Sequence, residues 1–170
     1  FSDVDISGGG GFKSTVSTAT ISTFGGDITI SGGTELGASG CGTSYSCTAG
    51  YASFANGTNS IGVYLLGSLN AAGGNIAIYG YGDPTSFTAS GVGIQLDFVG
   101  DVLSTLGSGT ITLDGVSTGA NRGIYHVQGN VTADTGLILL FAGRVKSVPR
   151  TWSSERSSDV QWTLVRLFAE

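Results

Sequence analysis

The sequence predicts an all-β protein, a parallel β-helix of about four three-segment coils, and three observations support this prediction. Glycine contributes 30 of the 170 residues and charged residues only 11%, so small residues separate short β-branched runs. A motif of two apolar residues around one variable residue recurs between glycines. Three short strand segments follow one another in a fixed order, with a period of about 30 residues.

Composition excludes several classes of protein. A chain of 170 residues is long enough for one domain with a core, and a hydrophobic content of 40% argues against disorder. No run of 18 apolar residues occurs, so no membrane-spanning helix is predicted. The net charge of −5 disfavours nucleic acid as a partner. An initial phenylalanine is typical of a processed product or a fragment.

The first column of the repeat is the apolar pair flanked by glycines. It occurs in "GGDITISGG" (25–33), "GGNIAIYGYG" (73–82) and "SGTITLDGV" (108–116), with a looser copy, "DTGLILLFAG" (134–143), and a partial one, "SDVDISGG" (2–9). Alternate residues of a strand face opposite sides, so the apolar pairs of successive coils should form interior stacks. These stacked residues are Ile28 and Ile30, Ile76 and Ile78, and Ile111 and Leu113.

Two further columns accompany the first. The second column comprises "GSLNA" (67–71), "GDVLS" (100–104) and "GNVTA" (129–133), and the third comprises "GVYLL" (62–66), "GIQLD" (93–97) and "GIYHV" (123–127). One coil cannot bury its own apolar face, but stacked coils cover one another while their backbones pair. Glycines at the corners permit close backbone approach.

An insertion at 34–58 lengthens one coil and predicts a side loop, a place where binding residues are often found. Cys41 and Cys47 lie in this loop and suggest a disulfide in an oxidising compartment, the alternative being two unpaired thiols. Tyr45 and Tyr51 are candidate binding residues there.

The C-terminal residues 144–170 do not follow the repeat, which occupies 1–143. They contain no glycine, both tryptophans and five of the seven Lys and Arg residues. Two interpretations remain open. The tail either caps the open end of the solenoid or is a foreign C-terminus.

The segments "GVYLLGSLNAAGGNIAIYGYG" (62–82) and "GIQLDFVGDVLSTLGSGTITLDG" (93–115) resemble internal repeats of filamentous-haemagglutinin-type exoproteins. These are secreted bacterial adhesins of the two-partner and autotransporter kind, and the resemblance covers about 2–143. It implies a right-handed parallel β-helix at or outside the cell surface, serving as stalk and adhesive face. The family has no short catalytic motif, so the resemblance assigns no residue a catalytic role.

Tyr64, Gln95 and Tyr125 occupy matching outward positions of the third column. On a flat face they would form a ladder suited to stacking on sugar rings or protein side chains. The alternative is ordinary cross-coil pairing that stabilises the sheet.

An enzyme is the alternative function. β-Helix lyases and hydrolases use acids on one face, which makes Asp97 and Asp101 candidates, with Asp114 considered beside them. Solvated acids are the simpler interpretation. "GVSTG" (115–119) matches a nucleophile elbow, so Ser117 and His126 are weaker candidates, although a turn explains the motif. His126 aligns with Leu65 and Leu96, which are predicted to point inward. It is therefore either a buried histidine or evidence that this strand is shifted by one residue.

The sequence therefore predicts a structural and adhesive segment of a secreted bacterial surface protein. Its partner would be a glycan or a protein surface, and no cofactor, metal, nucleic acid or membrane span is predicted. Exposed coil ends favour end-to-end self-association.

Overall fold

The computed structural model describes residues 2–8, 11–14, 16–32, 52–53, 61–82, 91–117, 122–142 and 145–147. Cys41, Tyr45, Cys47 and Tyr51 lie outside these residues, as does the tail from 148 onward. The described segments contain strands and no helix, and hence no helix long and apolar enough to cross a membrane. The strands are β1 (Val4–Gly8), β2 (Phe12–Lys13), β3 (Thr20–Ser22), β4 (Ile28–Gly32), β5 (Ala52–Ser53), β6 (Ile61–Leu65), β7 (Ser68–Asn70), β8 (Ile76–Gly82), β9 (Val92–Thr105), β10 (Ile111–Ser117), β11 (Arg122–Ala133), β12 (Ile138–Ala142) and β13 (Val145–Ser147).

These strands form two sheets in which all described pairings are parallel. The six-stranded sheet has the order β1-β4-β8-β10-β12, with β5 paired to β8. The seven-stranded sheet has the order β13-β11-β9-β6-β2, and β7 pairs with both β3 and β9. From β8 to β13 the chain alternates between the two sheets, and we call one run through both sheets a pass. Neighbouring strands within a sheet therefore belong to successive passes. The predicted all-β parallel architecture is confirmed.

The first column stacks in the predicted register. Ile76 pairs with Ile28 on one side and with Ile111 on the other, and Ile111 pairs in turn with Ile138. The partial copy also belongs to this sheet, because Val4 pairs with Ile28. These side chains belong to one buried cluster: Ile28, Ile30, Val63, Leu65, Leu69, Ala71, Ile76, Ile78, Ile94, Leu96, Val102, Leu103, Ile111, Leu113, Ile124, Val131, Ala133 and Ile138. Burial of each large side chain stabilises the fold by about 2 kcal/mol.

The third column is also in the predicted register, but the second differs by one residue. Aligning the second-column segments on their first glycine places Val102 opposite Val131, whereas Leu103 occupies that position. The cause is an irregular pairing between β9 and β11, where Gly100 has a φ of 123°. The second and third columns are continuous in β9 and β11, so later passes contain two strands rather than three.

Two further segments extend the sheets beyond the predicted repeat. Residues Val145–Ser147 pair with Ile124–His126, so three residues assigned to the tail form a strand of the seven-stranded sheet. Within the predicted side loop, Ala52–Ser53 pairs with β8. Parallel pairing therefore reaches into both regions that the sequence pattern separates from the repeat.

A column of glycines lies at the turn that leads into the six-stranded sheet. A Cβ on Gly74 would lie against the carbonyl oxygen of Gly26, and a Cβ on Gly109 would lie against that of Gly74. Gly136 repeats the arrangement against Gly109. Successive turns thus approach too closely for any side chain at this position.

A ladder of polar side chains lies beside the glycine column. The backbone N–H of Asp27 donates to Asp3 Oδ1 (2.9 Å), that of Asn75 to Asp27 Oδ1 (2.7 Å) and that of Thr110 to Asn75 Oδ1 (2.9 Å). Each side-chain oxygen therefore accepts a hydrogen bond from the equivalent residue of the next pass. The ladder aligns the passes just before the apolar pair of the first column.

Buried threonines hold the turn from the inside. The Thr105 hydroxyl donates to the carbonyl oxygen of Gly74 (2.6 Å), and the Thr23 hydroxyl lies 3.1 Å from that of Ala71. The Thr105 bond joins two passes, whereas the Thr23 hydroxyl also lies 2.5 Å from the carbonyl oxygen of Gly26 in its own turn, which is its shorter hydrogen bond. Both hydroxyls are thereby satisfied, and an unpaired hydroxyl would be costly to bury.

We expect Gly74→Ala to lower the free energy of unfolding by about 3 kcal/mol, because its Cβ would collide with backbone. The matched control is Gly73→Ala in the same turn. Gly73 has a φ of +117° and open space around its Cβ position, so strain alone should cost about 1 to 2 kcal/mol. Urea denaturation of both variants measures the difference, and equal losses would contradict the close approach of the turns.

We expect Asn75→Ala to lower the free energy of unfolding by about 1 kcal/mol, because the Thr110 N–H loses its protein acceptor and donates to water instead. Asp27→Asn keeps an acceptor oxygen and removes a charge beside Asp3, so its stability should equal or exceed that of the wild type. Thermal unfolding checks both variants. A loss of stability in Asp27→Asn as large as that in Asn75→Ala would argue against the ladder.

Candidate functional site

The seven-stranded sheet carries a row of partly exposed side chains on its outer face. Tyr64, Gln95 and Tyr125 are paired in register on the adjacent strands β6, β9 and β11. Residues on either side of them along each strand, such as Val63 and Leu65, are buried, so alternation directs the row outward. The predicted ladder therefore exists as a geometric feature.

The same register extends the row at both ends. Lys13 on β2 pairs with Tyr64, and the backbone of Lys146 on β13 pairs with Tyr125. We call the set Lys13, Tyr64, Gln95 and Tyr125 the tyrosine row. Its members lie about 4.8 Å apart from strand to strand.

Asp97 lies beside the tyrosine row and is held from both neighbouring strands. The Tyr64 hydroxyl donates to Asp97 Oδ2 (3.3 Å), and Gln128 Nε2 donates to Asp97 Oδ1 (2.9 Å). Each carboxylate oxygen has one protein donor and retains a lone pair for another. The arrangement can accept hydrogen bonds from hydroxyl groups of a ligand placed on the row.

Burial raises the pKa of Tyr64, and the negative charge and hydrogen bond of Asp97 raise it further. The phenol therefore stays protonated at neutral pH and acts as the donor to Asp97. The tyrosine contributes a ring face and a fixed hydroxyl to this surface, not a negative charge.

A cation lies over each tyrosine of the row. The Lys13 ammonium is 5.8 Å from the centroid of the Tyr64 ring, and the Arg122 guanidinium carbon is 4.1 Å from that of Tyr125. Both distances are within the range of cation–π attraction. Sequence reasoning missed Lys13, Arg122 and Gln128. Lys13 lies between two copies of the first column, outside every recognised segment, and Gln128 meets Asp97 only because the pairing shifts between His126 and Gln128.

The other acidic candidates do not share the position of Asp97. Asp101 lies further along β9, opposite Asn130 of β11. Asp114 belongs to the six-stranded sheet, where it pairs with Tyr79 and Phe141. The structure therefore separates Asp114 from the face that carries Asp97.

Ser117 and His126 lie in different sheets. The Ser117 hydroxyl donates to the carbonyl oxygen of Gly91 (3.2 Å), at the end of strand β10. The next described element is strand β11, whereas a nucleophile elbow requires a strand that leads into a helix. His126 is 1% exposed and points inward at the position of Leu65 and Leu96, as its alignment predicts.

Nε2 of His126 is 3.0 Å from the carbonyl oxygen of Gly129. Burial lowers the pKa of His126, and hydrogen bonds to the backbone at Gly129 and Gln128 oppose that change in part. The imidazole is therefore a neutral core group at neutral pH.

Comparisons with protein-family models, with curated proteins and with solved structures give no significant match to this chain. In the described part of the chain, no three His, Cys, Asp or Glu side chains are grouped to hold a metal ion. The tyrosine row is the candidate binding surface of the described residues.

We expect the stability of the wild type to fall as the pH drops below about 6.5, because the unfolded chain then binds a proton that buried His126 resists. His126→Leu should reduce this dependence, since leucine occupies the same position in the two preceding passes. Urea denaturation between about pH 8 and pH 5 measures both proteins. Parallel pH profiles would contradict the assignment of His126 as a neutral core group.

Proposed function

We propose that this chain is a structural and adhesive segment of a secreted bacterial surface exoprotein, folded as a right-handed parallel β-helix. It binds an extended glycan or a protein surface on the tyrosine row and performs no catalysis. The observation that carries the proposal is the parallel, in-register pairing of Tyr64, Gln95 and Tyr125. The extracellular assignment depends on the resemblance of the repeats to filamentous-haemagglutinin-type exoproteins.

The glycines between the sheets support closure into a solenoid. A Cβ on Gly80 would lie against the carbonyl oxygen of Gly93, and one on Gly115 against that of Gly123. The two sheets therefore converge at this edge, while short turns at 106–110 and 134–137 connect them at the other. A cross-section bounded in this way is the one that a β-helix requires.

The row suits a ligand that lies along the stacking direction. Its side chains recur at about 4.8 Å, close to the length of one sugar unit in an extended polysaccharide. Tyrosine rings offer apolar faces for pyranose rings, while Asp97 and Gln95 offer acceptors and a donor for hydroxyl groups. One surface therefore combines stacking and hydrogen bonding, the two modes of contact that sugars use.

Edge strands support end-to-end association of such segments. Among the described strands, β1 and β12 each pair on one side only, and so do β2 and β13 in the other sheet. Unpaired backbone at a sheet edge is a template for another strand. A further coil or a second copy of the chain would satisfy these groups.

We expect Tyr125→Ala to weaken binding of the full chain to an immobilised polysaccharide by about fivefold, because a stacking face is lost. Tyr79→Ala removes an aromatic ring from the six-stranded sheet and should leave the affinity unchanged. A polysaccharide array followed by biolayer interferometry measures both.

The same polysaccharides should show no new reducing ends and no unsaturated uronate after incubation with the protein. Turnover that Asp97→Asn abolishes would replace the adhesive function with the lyase or hydrolase alternative. Equal affinity of the wild type and Tyr125→Ala would remove the tyrosine row from the proposal.

A further inference from the structure

The two basic residues of the acidic region 1–143 both lie in or beside the tyrosine row. Residues 1–143 contain nine acidic side chains and two basic ones, Lys13 and Arg122. These two residues are distant in sequence, yet each lies over a tyrosine of the same row. The backbone register adds Lys146 at the next position beyond Tyr125. The positive charge of the repeat region is therefore confined to one line on one face.

Within the described ranges, no carboxylate forms an ion pair with Lys13 or Arg122, and Asp97 instead accepts from Tyr64 and Gln128. A guanidinium stacked on a ring keeps its in-plane N–H donors for a carboxylate or sulfate group, which it can bind in bidentate fashion. Stacking on Tyr125 therefore orients Arg122 for an anion.

The two cations have a defined separation. Lys13 is on β2 and Arg122 on β11, with β6 and β9 between them, so three interstrand steps separate the two strands by about 14 Å. Asp97 lies on β9, within this interval. A ligand along the row would meet positive charge at its ends and a hydroxyl-binding carboxylate between them.

We propose that the ligand of the tyrosine row is a linear anionic polysaccharide. Its carboxylate or sulfate groups bind Lys13 and Arg122, and its hydroxyl groups bind Asp97 and Gln95. This inference rests on the proposed adhesive function and names its ligand class. Duplex DNA is disfavoured because its closely spaced phosphates would place negative charge against Asp97.

The test uses the full chain in affinity electrophoresis through gels containing polygalacturonate, dextran sulfate or uncharged dextran. We expect retardation by one or both acidic polymers and none by dextran. The comparison of the two acidic polymers identifies carboxylate or sulfate as the preferred group. Arg122→Gln and Lys13→Gln should each weaken binding by about threefold to fivefold. Arg122→Lys, which keeps the charge and loses the bidentate fork, should lie between Arg122→Gln and the wild type.

Two substitutions with the same change in net charge separate a local site from general electrostatics. Asp97→Asn removes a negative charge within the row and should strengthen binding to the acidic polymer. Asp5→Asn removes one from exposed strand β1 of the other sheet and should leave binding unchanged. Equal effects of the two variants would overturn the inference. Circular dichroism and thermal unfolding establish that each variant folds.

The remaining outcomes distinguish this inference from the proposed function. Equal binding of dextran and polygalacturonate, lost in Tyr125→Ala but kept in Arg122→Gln, would overturn the anionic ligand and leave the adhesive function intact. Binding to no polysaccharide would overturn the anionic ligand, and binding to no protein surface as well would overturn the adhesive function. Tighter binding to duplex DNA than to either acidic polymer would also overturn the inference.

Discussion

Successive passes of the chain pair in parallel and in register, and this pairing governs both the core and the outer surface. Equivalent residues of adjacent passes lie about 4.8 Å apart, so the residue at each position must pack against the equivalent residues of the two neighbouring passes. Ile28, Ile76 and Ile111 meet this condition in the core. Gly74 and Gly109 meet it at the turn, where neighbouring backbones leave no room for a Cβ. Each apolar segment is buried by the segments of the neighbouring passes, because a single pass cannot bury its own apolar face.

The same constraint shapes the outer surface without restricting its chemistry. Pairing brings Lys13, Tyr64, Gln95 and Tyr125 into one line although more than a hundred residues separate the first from the last. A line of this kind suits a ligand that is itself extended. The proposed recognition of a polysaccharide follows from this geometry. In our view the contacts of Asp97 with Tyr64 and Gln128 make it a positioned hydrogen-bond acceptor of that line.

Much of the fold could be predicted, because inward positions repeat the same apolar residues at constant spacing from a glycine. The first and third columns, including inward-facing His126, follow this rule. The second column does not, because β9 contains seven steps from Leu96 to Leu103 where β11 contains five from His126 to Val131. The contact between Asp97 and Gln128 depends on that irregularity. Cys41 and Cys47 lie outside the described residues, so their disulfide stays a prediction.

The repeat pattern of the sequence predicts the all-β class, the parallel arrangement and the identity of most core residues. Burial admits few residue types at inward positions, and a repeat of those types is visible without any structure. The contacts between outward side chains, such as Arg122 over Tyr125 and Lys13 over Tyr64, are established only by folding. Outward positions accept almost any polar residue, so they leave no pattern, and their contacts depend on interstrand register and its local shifts.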